Sequence, residues 1–138
     1  MIKQKLFIDR YEWLVYCFFA TTADDAPDIL RLIDMVGIND EQYERASQLL
    51  HSPAKNIGMT YSHPDHHISV MVISETTTPA ETLNTFSHEL RHLADDIALA
   101  NDIPPRGEQV AYLTGDIAMT LAANLLQIVC DCPICSKS

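Results

Sequence analysis

Two helical patterns, separated by a loop that contains two prolines, occupy the C-terminal half of the chain. The segment Thr78-Pro79-Ala80-Glu81 is typical of a helix start, with Thr78 as the N-cap, a proline at the first helical position and an acid at the third. Residues 101–107 contain Pro104-Pro105 and interrupt the helical pattern, which resumes as a largely apolar stretch over residues 108–129. The sequence therefore predicts two long helices joined by a short loop.

Strand patterns occupy the N-terminal half. Residues 3–8 and 11–20 are rich in aromatic and β-branched side chains and are separated by Asp9-Arg10, which predicts two tightly joined strands. The pattern returns over residues 57–74, where the polar break His63-Pro64-Asp65-His66 is typical of a hairpin turn. We therefore expect two strand pairs.

Two shorter helices are predicted between these strand pairs. Residues 27–36 carry apolar side chains at helical spacing and stop at Gly37. The segment Asn39-Asp40-Glu41-Gln42 then resembles a capping box for a second helix, which runs to about His51. We expect an α+β fold in which a small antiparallel or mixed sheet packs on the two long helices, with the two short helices on the N-terminal side.

Composition and charge narrow the class of protein. The chain has 138 residues, 47% of them hydrophobic and 20% charged, which suits one domain with a hydrophobic core. Nine Lys and Arg against nineteen Asp and Glu give a net charge of −10, so phosphate backbones and anionic membranes would be repelled. The longest apolar run, residues 13–20, is much shorter than the roughly 20 residues of a membrane helix, and the N-terminus lacks a signal-peptide pattern. We expect a cytoplasmic protein that binds neither nucleic acid nor membranes.

Three of the four cysteines, Cys130, Cys132 and Cys135, lie close together near the C-terminus. This spacing suits reduced thiols or metal ligands better than a disulfide framework. The C-x-x-C pair within it is half of a structural zinc site, which Cys17 or a second chain would have to complete; the alternative is a tail with spare thiols. We treat residues 1–138 as one domain with a cysteine-rich tail over residues 129–138.

The chemical signal is His88-Glu89-Leu90-Arg91-His92, an H-E-x-x-H arrangement inside the first long helix. Residues four apart lie one turn above each other, roughly 6 Å along the helix axis. Two imidazoles at this spacing can reach one zinc ion at about 2.0–2.1 Å from each nitrogen. Glu89 then lies where it can take a proton from a metal-activated water, which is the chemistry of peptide-bond hydrolysis.

A helical wheel places His88 and His92 nearly opposite the apolar stripe of their helix. A surface helix presents the same kind of polar face to solvent, so an ordinary exposed face is the alternative to a metal site. Leu99 also lies on the histidine side, which predicts that something covers the helix there. The apolar stripe itself consists of Leu83, Phe86, Leu90, Leu93 and Ile97.

Over residues 85–117 the sequence resembles the zincin metallopeptidases, specifically the gluzincin-like branch, and also short peptidase-like proteins of gut bacteria and their phages. The H-E-x-x-H motif carries one part of this resemblance, and residues 107–115, Gly-Glu-Gln-Val-Ala-Tyr-Leu-Thr-Gly, carry the other. The resemblance implies a minimal zincin-like domain that binds Zn²⁺ through His88, His92 and Glu108. It also implies Glu89 as general base and Tyr112 as a donor to the developing oxyanion.

One position departs from the family pattern. Zincin motifs usually carry an uncharged residue where this chain has Arg91. The departure bears on catalytic activity more than on metal binding.

Glu108 has support from its own helix. It lines up with Tyr112 and further apolar residues, and a carboxylate on an apolar face needs a partner because an unpaired buried charge is costly. The alternative for Glu108 is a solvated acid that the helix dipole favours in the first turn. The alternative for Tyr112 is a position in the core. Asp95 and Asp96 lie too far along the helix to share a tetrahedral ion with both histidines. They could accept a hydrogen bond from His92 or be surface acids.

The sequence therefore predicts zinc-dependent hydrolysis of peptide bonds in a peptide or protein substrate, with restricted specificity. The alternative is a non-catalytic metal-binding or protein-interaction domain that retains the same scaffold. Two further hypotheses concern the second hairpin. Residues 67–74 could offer an edge strand to an extended peptide, depending on strand order. The cluster of His63, His66 and His67 could form a second metal site or simply a polar turn.

Overall fold

The computed structural model describes residues 1–129. Over these residues the fold is α+β, as predicted, with a mixed sheet and two pairs of helices. The strands are β1 (Ile2–Ile8), β2 (Trp13–Thr21), β3 (Gly58–His63) and β4 (Ile68–Ser74). The helices are α1 (Ala26–Val36), α2 (Asp40–His51), α3 (Pro79–Ala100) and α4 (Glu108–Val129).

The sheet has the strand order β1-β2-β4-β3. The hairpin pairs β1–β2 and β3–β4 are antiparallel, and the two hairpins join through a parallel pairing of β2 with β4. The hypothesis that residues 67–74 form an edge is therefore wrong, because β4 is an interior strand. Its five central residues are all buried, as expected for a strand covered on both faces. The edge next to α3 is β3 instead.

Helices cover both faces of the sheet and create two cores. The first core lies between the sheet and the long helices α3 and α4, and it contains Trp13, Val15, Cys17 and Phe19 from alternate positions of β2. The second lies between the opposite face and the short helices α1 and α2, and it contains Phe18, Val70 and Val72. Because side chains alternate across a strand, β2 supplies apolar groups to both cores.

Local signals in the sequence set the helix boundaries. The Thr78 side chain accepts a hydrogen bond from the backbone N–H of Glu81 (3.1 Å), and Asn39 does the same for Gln42 (2.8 Å). Both caps satisfy N–H groups that a helix start leaves unpaired. Gly37 ends α1 in a left-handed conformation, with φ of 88°, which glycine adopts at little cost.

Helix α4 has two apolar faces, and the fold buries one of them. Val110, Leu113, Ile117, Leu121 and Leu125 pack into the first core. The stripe that begins with Glu108 and continues with Tyr112, Met119 and Leu126 is exposed to solvent. Within residues 1–129 this is the one helix whose length and composition would also allow a membrane span, but its buried face contacts α3 and the sheet.

Candidate metal and active site

Helix α3 brings His88 and His92 together on its exposed side. Their Nε2 atoms are 3.1 Å apart, and the ring planes are inclined by 75°. Two nitrogens bound to one tetrahedral zinc ion at about 2.0–2.1 Å would be about 3.4 Å apart. The separation of the two Nε2 atoms is therefore close to that of two ligands on one zinc ion.

Glu89 is the one buried acid of the motif, with 5% of its surface exposed. Its Oε1 accepts a hydrogen bond from the Thr60 hydroxyl on β3 (2.8 Å), and its Oε2 lies 3.9 Å from His88 Nε2. Thr60 thus holds one carboxylate oxygen and leaves the other directed at the histidine pair. This is the position that a base acting beside the ion would need.

Gly58 makes room for this carboxylate. A Cβ built on Gly58 would lie 2.7 Å from Glu89 Cγ and 2.7 Å from Thr85 Cγ2, both closer than real Cβ contacts. Sequence reasoning missed both Gly58 and Thr60. The available signal was the alternation along β3, where positions 58, 60 and 62 are small or polar while Met59 and Tyr61 are apolar and buried.

Asp96 is fixed from the same strand. The Ser62 hydroxyl donates a hydrogen bond to Asp96 Oδ2 (2.6 Å). Burial raises the pKa of Asp96 above its ordinary value, while the Ser62 hydrogen bond and the charge of His92 offset part of that rise. Asp96 therefore faces β3, where it is half-buried, and within residues 1–129 it makes no hydrogen bond or ion pair with His92.

Arg91 and Asp95 pair with each other on the surface. Arg91 Nε lies 3.0 Å from both carboxylate oxygens of Asp95, one helical turn away, and both side chains are substantially exposed. The residue that departs from the family pattern is thus engaged in an ion pair within α3. Asp95, unlike Asp96, is therefore a surface acid, which was one of the two alternatives for it.

Glu108 and Tyr112 do not join this site. Both are exposed, and Tyr112 lines a small cavity between α4 and β1, apart from the cavity that His88 and Glu89 line. Over residues 1–129 no group of three His, Cys, Asp or Glu side chains is placed to hold a metal ion. The predicted set of His88, His92 and Glu108 is therefore not assembled in this conformation, because the apolar face that carries Glu108 points to solvent instead of toward α3.

The histidines of the second hairpin do not converge either. His63 and His66 stack face to face with ring centroids 3.9 Å apart, and His67 stacks on Trp13. His67 also has Nδ1 3.1 Å from the carbonyl oxygen of Tyr11. These contacts agree with the polar-turn alternative. The three C-terminal cysteines lie outside the described residues, so a metal site there stays a prediction.

Two cavities flank the histidine pair along the β3 edge. One, of about 340 Å³, is lined by Gly58, Asn84, His88 and Glu89 among others. The other, of about 710 Å³, is lined by Thr60, Ser62, His63, Asp96 and Leu99 among others. Leu99 is 82% exposed at its rim, so the expected cover on this side of α3 is not supplied by residues 1–129.

No family model, curated protein or solved structure matches this chain. The functional assignment therefore depends on the arrangement of His88, His92, Glu89 and the edge strand β3.

Proposed function

We propose that this protein is a zinc-dependent peptidase that uses His88 and His92 as metal ligands and Glu89 as general base. The observation that carries the proposal is the pairing of two Nε2 atoms at 3.1 Å with a buried carboxylate whose free oxygen is directed at them. A chance H-E-x-x-H on a solvated helix face would place the histidines equally well. It would not require a buried glutamate held by a neighbouring strand.

Each residue of the site would have its own role in the reaction. When bound, a zinc ion supplies a Lewis acid that lowers the pKa of a coordinated water. Glu89 Oε2 accepts the proton of the attacking water and later gives it to the leaving amine. The Thr60 hydroxyl keeps Glu89 Oε1 occupied, so that the carboxylate does not rotate away from the histidine pair.

Glu108 is our proposed third ligand, although it is exposed in this conformation. It lies in the first turn of α4, two residues before the first buried residue, Val110. The preceding loop ends at Gly107, around which a Cβ would meet no atom within 4 Å. A displacement of this loop and the first turn could move the carboxylate while the buried face of α4 stays in the core.

The edge strand β3 supports an extended peptide as substrate. It borders both cavities beside the histidines, and an edge strand presents backbone N–H and C=O groups that a peptide can pair with. Such pairing would align a peptide bond along α3 near Glu89. The side chains that line the cavities would then restrict which sequences are accepted.

One observation favours the rival, a metal-binding or protein-interaction domain without turnover. The described residues offer two imidazoles for an ion but no assembled third protein ligand. A site with two histidines would bind zinc weakly and would depend on a partner or a conformational change for completion.

Metal analysis followed by peptide hydrolysis tests the two functions together. We expect one zinc per chain at the pair, lost in the His88→Ala, His92→Ala double variant, with truncation after Val129 used to separate any zinc held by the cysteines. Peptide libraries should be cleaved by the wild type and not by Glu89→Gln, which keeps the zinc. Zinc binding without cleavage by the wild type would favour the rival. Zinc unchanged in the double variant would remove the basis of the peptidase and of a metal-binding rival, and would leave only a protein-interaction domain.

A further inference from the structure

The two parallel strands of the sheet send the chain to opposite faces where they end. β2 is followed by α1, which packs in the second core, and β4 is followed by α3, which packs in the first core. Because the two connections leave the same edge in opposite directions, this edge is a topological switch point between adjacent parallel strands. Open parallel sheets bind their ligands in the crevice at such a point.

A cavity of about 230 Å³ lies at this edge, on the side of the short helices. Its floor is apolar and includes the buried side chains of Leu50, Met59 and Val72. Neither His88 nor Glu89 lines it, so it is separate from the cavity beside the candidate metal site. Pockets for drug-sized ligands have volumes of about 300–1,000 Å³, so this smaller cavity suits a small metabolite.

A β-bulge at Ala20 directs Thr21 into the cavity. Phe19 pairs with Ile73 and Thr21 pairs with Ser74, so Ala20 has no place in the register. In a regular strand Thr21 would lie on the same face as Phe19, in the first core. The extra residue moves Thr21 to the opposite face, where it lines the cavity with only 3% of its surface exposed.

The bulge carries backbone strain. Ala20 has φ of 56°, a left-handed conformation in which the Cβ of alanine lies too close to the following carbonyl oxygen. Strained residues of this kind cluster at binding sites, where the surrounding structure maintains them. The strain at Ala20 therefore favours a binding role for the cavity over an accidental gap in packing.

The loops at the rim of the cavity are tied together. The backbone N–H of Asn56 donates to the carbonyl oxygen of Glu75 (2.9 Å), and the N–H of Thr77 donates to the side-chain oxygen of Asn56 (2.9 Å). The N–H of Glu75 in turn donates to the carbonyl oxygen of Thr21 (2.9 Å). Lys55, next to Asn56, is thus carried by a fixed loop, which reduces the cost of ordering the site around a ligand.

The rim offers charges of both signs. Lys55, Asp24 and Glu75 line the cavity with exposed side chains, and within residues 1–129 none of the three is in an ion pair. A ligand with only negative charge would meet two acids and one base here. A ligand with only positive charge would leave the lysine unused. A zwitterion can use both kinds of group.

We propose that this cavity binds a free α-amino acid with an apolar side chain, such as leucine. Lys55 binds its carboxylate, the acids of the rim bind its ammonium group, and the apolar floor receives its side chain. The Thr21 hydroxyl supplies a hydrogen bond at the inner end of the site. The proposal does not depend on zinc binding or on peptide hydrolysis.

Titrations followed in ¹H–¹⁵N spectra of the full chain test the ligand class. They are made with a chelator present, so that the amino acid cannot bind through a metal ion. L-Leucine should bind with a Kd below about 1 mM and shift the backbone signals of Thr21, Lys55 and Glu75. Leucinamide, which lacks the carboxylate, and 4-methylpentanoate, which lacks the ammonium group, should each bind at least about tenfold more weakly.

Two results would overturn the ligand class. One is the absence of any shift with leucine, methionine or phenylalanine at about 10 mM, a concentration well above the expected Kd. The other is equal affinity for leucine and either of its two analogues.

Variants test the location. Lys55→Gln should weaken leucine binding at least about tenfold and leave the weaker binding of leucinamide unchanged. Lys3→Gln, which removes an exposed lysine of β1, is the matched control and should change neither. The His88→Ala, His92→Ala double variant should bind leucine like the wild type. Leucine binding that is unchanged in Lys55→Gln, or that is lost in the double variant, would overturn the proposed site.

Discussion

Gly58 and Glu89 approach each other so closely that no side chain larger than a hydrogen fits between the edge strand and α3. A Cβ on Gly58 would lie 2.7 Å from Glu89 Cγ and 2.9 Å from its Oε2. The position of the Glu89 carboxylate therefore depends on the lack of a side chain at Gly58 as much as on the hydroxyl of Thr60.

Gly58→Ala should consequently displace Glu89. We expect the free energy of unfolding to fall by about 1–3 kcal/mol, the usual cost of overpacking, and hydrolysis to fall while zinc affinity is retained. Gly115→Ala is the matched control, because a Cβ there meets nothing within 4 Å and the residue lies in a helix, where alanine is favoured by about 0.5–1 kcal/mol. Urea unfolding and peptide hydrolysis measure both variants, and equal effects at the two positions would contradict the steric argument.

Thr60→Val should lower the rate of hydrolysis and leave zinc binding intact. The substitution removes the hydrogen bond to Glu89 Oε1 at nearly constant volume, so the proposed base loses its fixed orientation. We expect a loss of about tenfold in kcat, part of the roughly 10²–10⁴-fold that a general base contributes. Thr120→Val, whose hydroxyl bonds only to the backbone of its own helix, serves as control. An unchanged kcat would mean that Glu89 does not depend on Thr60 for its orientation.

Glu108→Ala tests whether Glu108 is the third zinc ligand, as proposed. The structure without metal predicts little change in unfolding free energy, less than about 1 kcal/mol, because the side chain is exposed in a first helical turn. Zinc affinity, measured by competition with a chelator, should nevertheless fall by orders of magnitude. Asp116→Ala, another exposed acid of α4, should change neither quantity. Zinc affinity that survives in Glu108→Ala would assign the third position to another group and favour the non-catalytic rival.

Arg91→Gln should change zinc affinity and hydrolysis very little. Arg91 contacts Asp95 on the helix surface, and exposed ion pairs of this spacing contribute only about 0.3–0.5 kcal/mol. Zinc affinity and hydrolysis are expected to stay within twofold of the wild type. A large gain in hydrolysis would show instead that Arg91 restrains the site, and the departure from the zincin pattern would then have a functional meaning.

Cys17 provides a prediction about pH. Burial raises the pKa of its thiol from an ordinary value of 9.0 to about 12. The folded state therefore keeps a proton that the unfolded chain releases above pH 9, so stability should fall as pH rises from 9 toward 12. Relative to Cys17→Val, the wild type should lose about 1 kcal/mol of unfolding free energy between pH 9 and pH 10. Urea titrations at the two values measure this difference, and identical pH dependence in the two proteins would exclude a buried protonated thiol.

The features that the sequence predicted correctly are local ones. The N-cap residues Thr78 and Asn39, the terminating Gly37 and the hairpin turn at residues 63–66 each act within a few residues, so element boundaries could be predicted. Strand order could not be predicted, because the pairing of β2 with β4 joins segments separated by two helices.

The prediction for Glu108 illustrates the second limit. Its apolar neighbours on α4 indicated a buried face, but this helix has apolar residues on two sides and only the side of Val110 and Leu113 enters the core. A pattern read along one helix does not say which of two such faces meets the sheet. The hydroxyls of Thr60 and Ser62 were missed for a related reason: they matter through their partners Glu89 and Asp96, which lie far along the chain.

The parallel pairing of β2 with β4 affects the order in which the site forms during folding. All the proposed site residues on α3 and β3 lie within one continuous segment, from Gly58 to Asp96. Its Thr60–Glu89 and Ser62–Asp96 contacts join residues 29 and 34 positions apart, whereas Trp13 and Ser69 are 56 positions apart. We expect the contacts inside this segment to form before the parallel pairing of β2 with β4, which must close a longer loop across an intervening pair of helices. Trp13 reaches Ser69 only when that late step is complete. The hydrogen bond from Trp13 to Ser69 is thus made in this late step, so the burial of Trp13 during refolding should follow the formation of the β3–β4 hairpin and its contacts with α3.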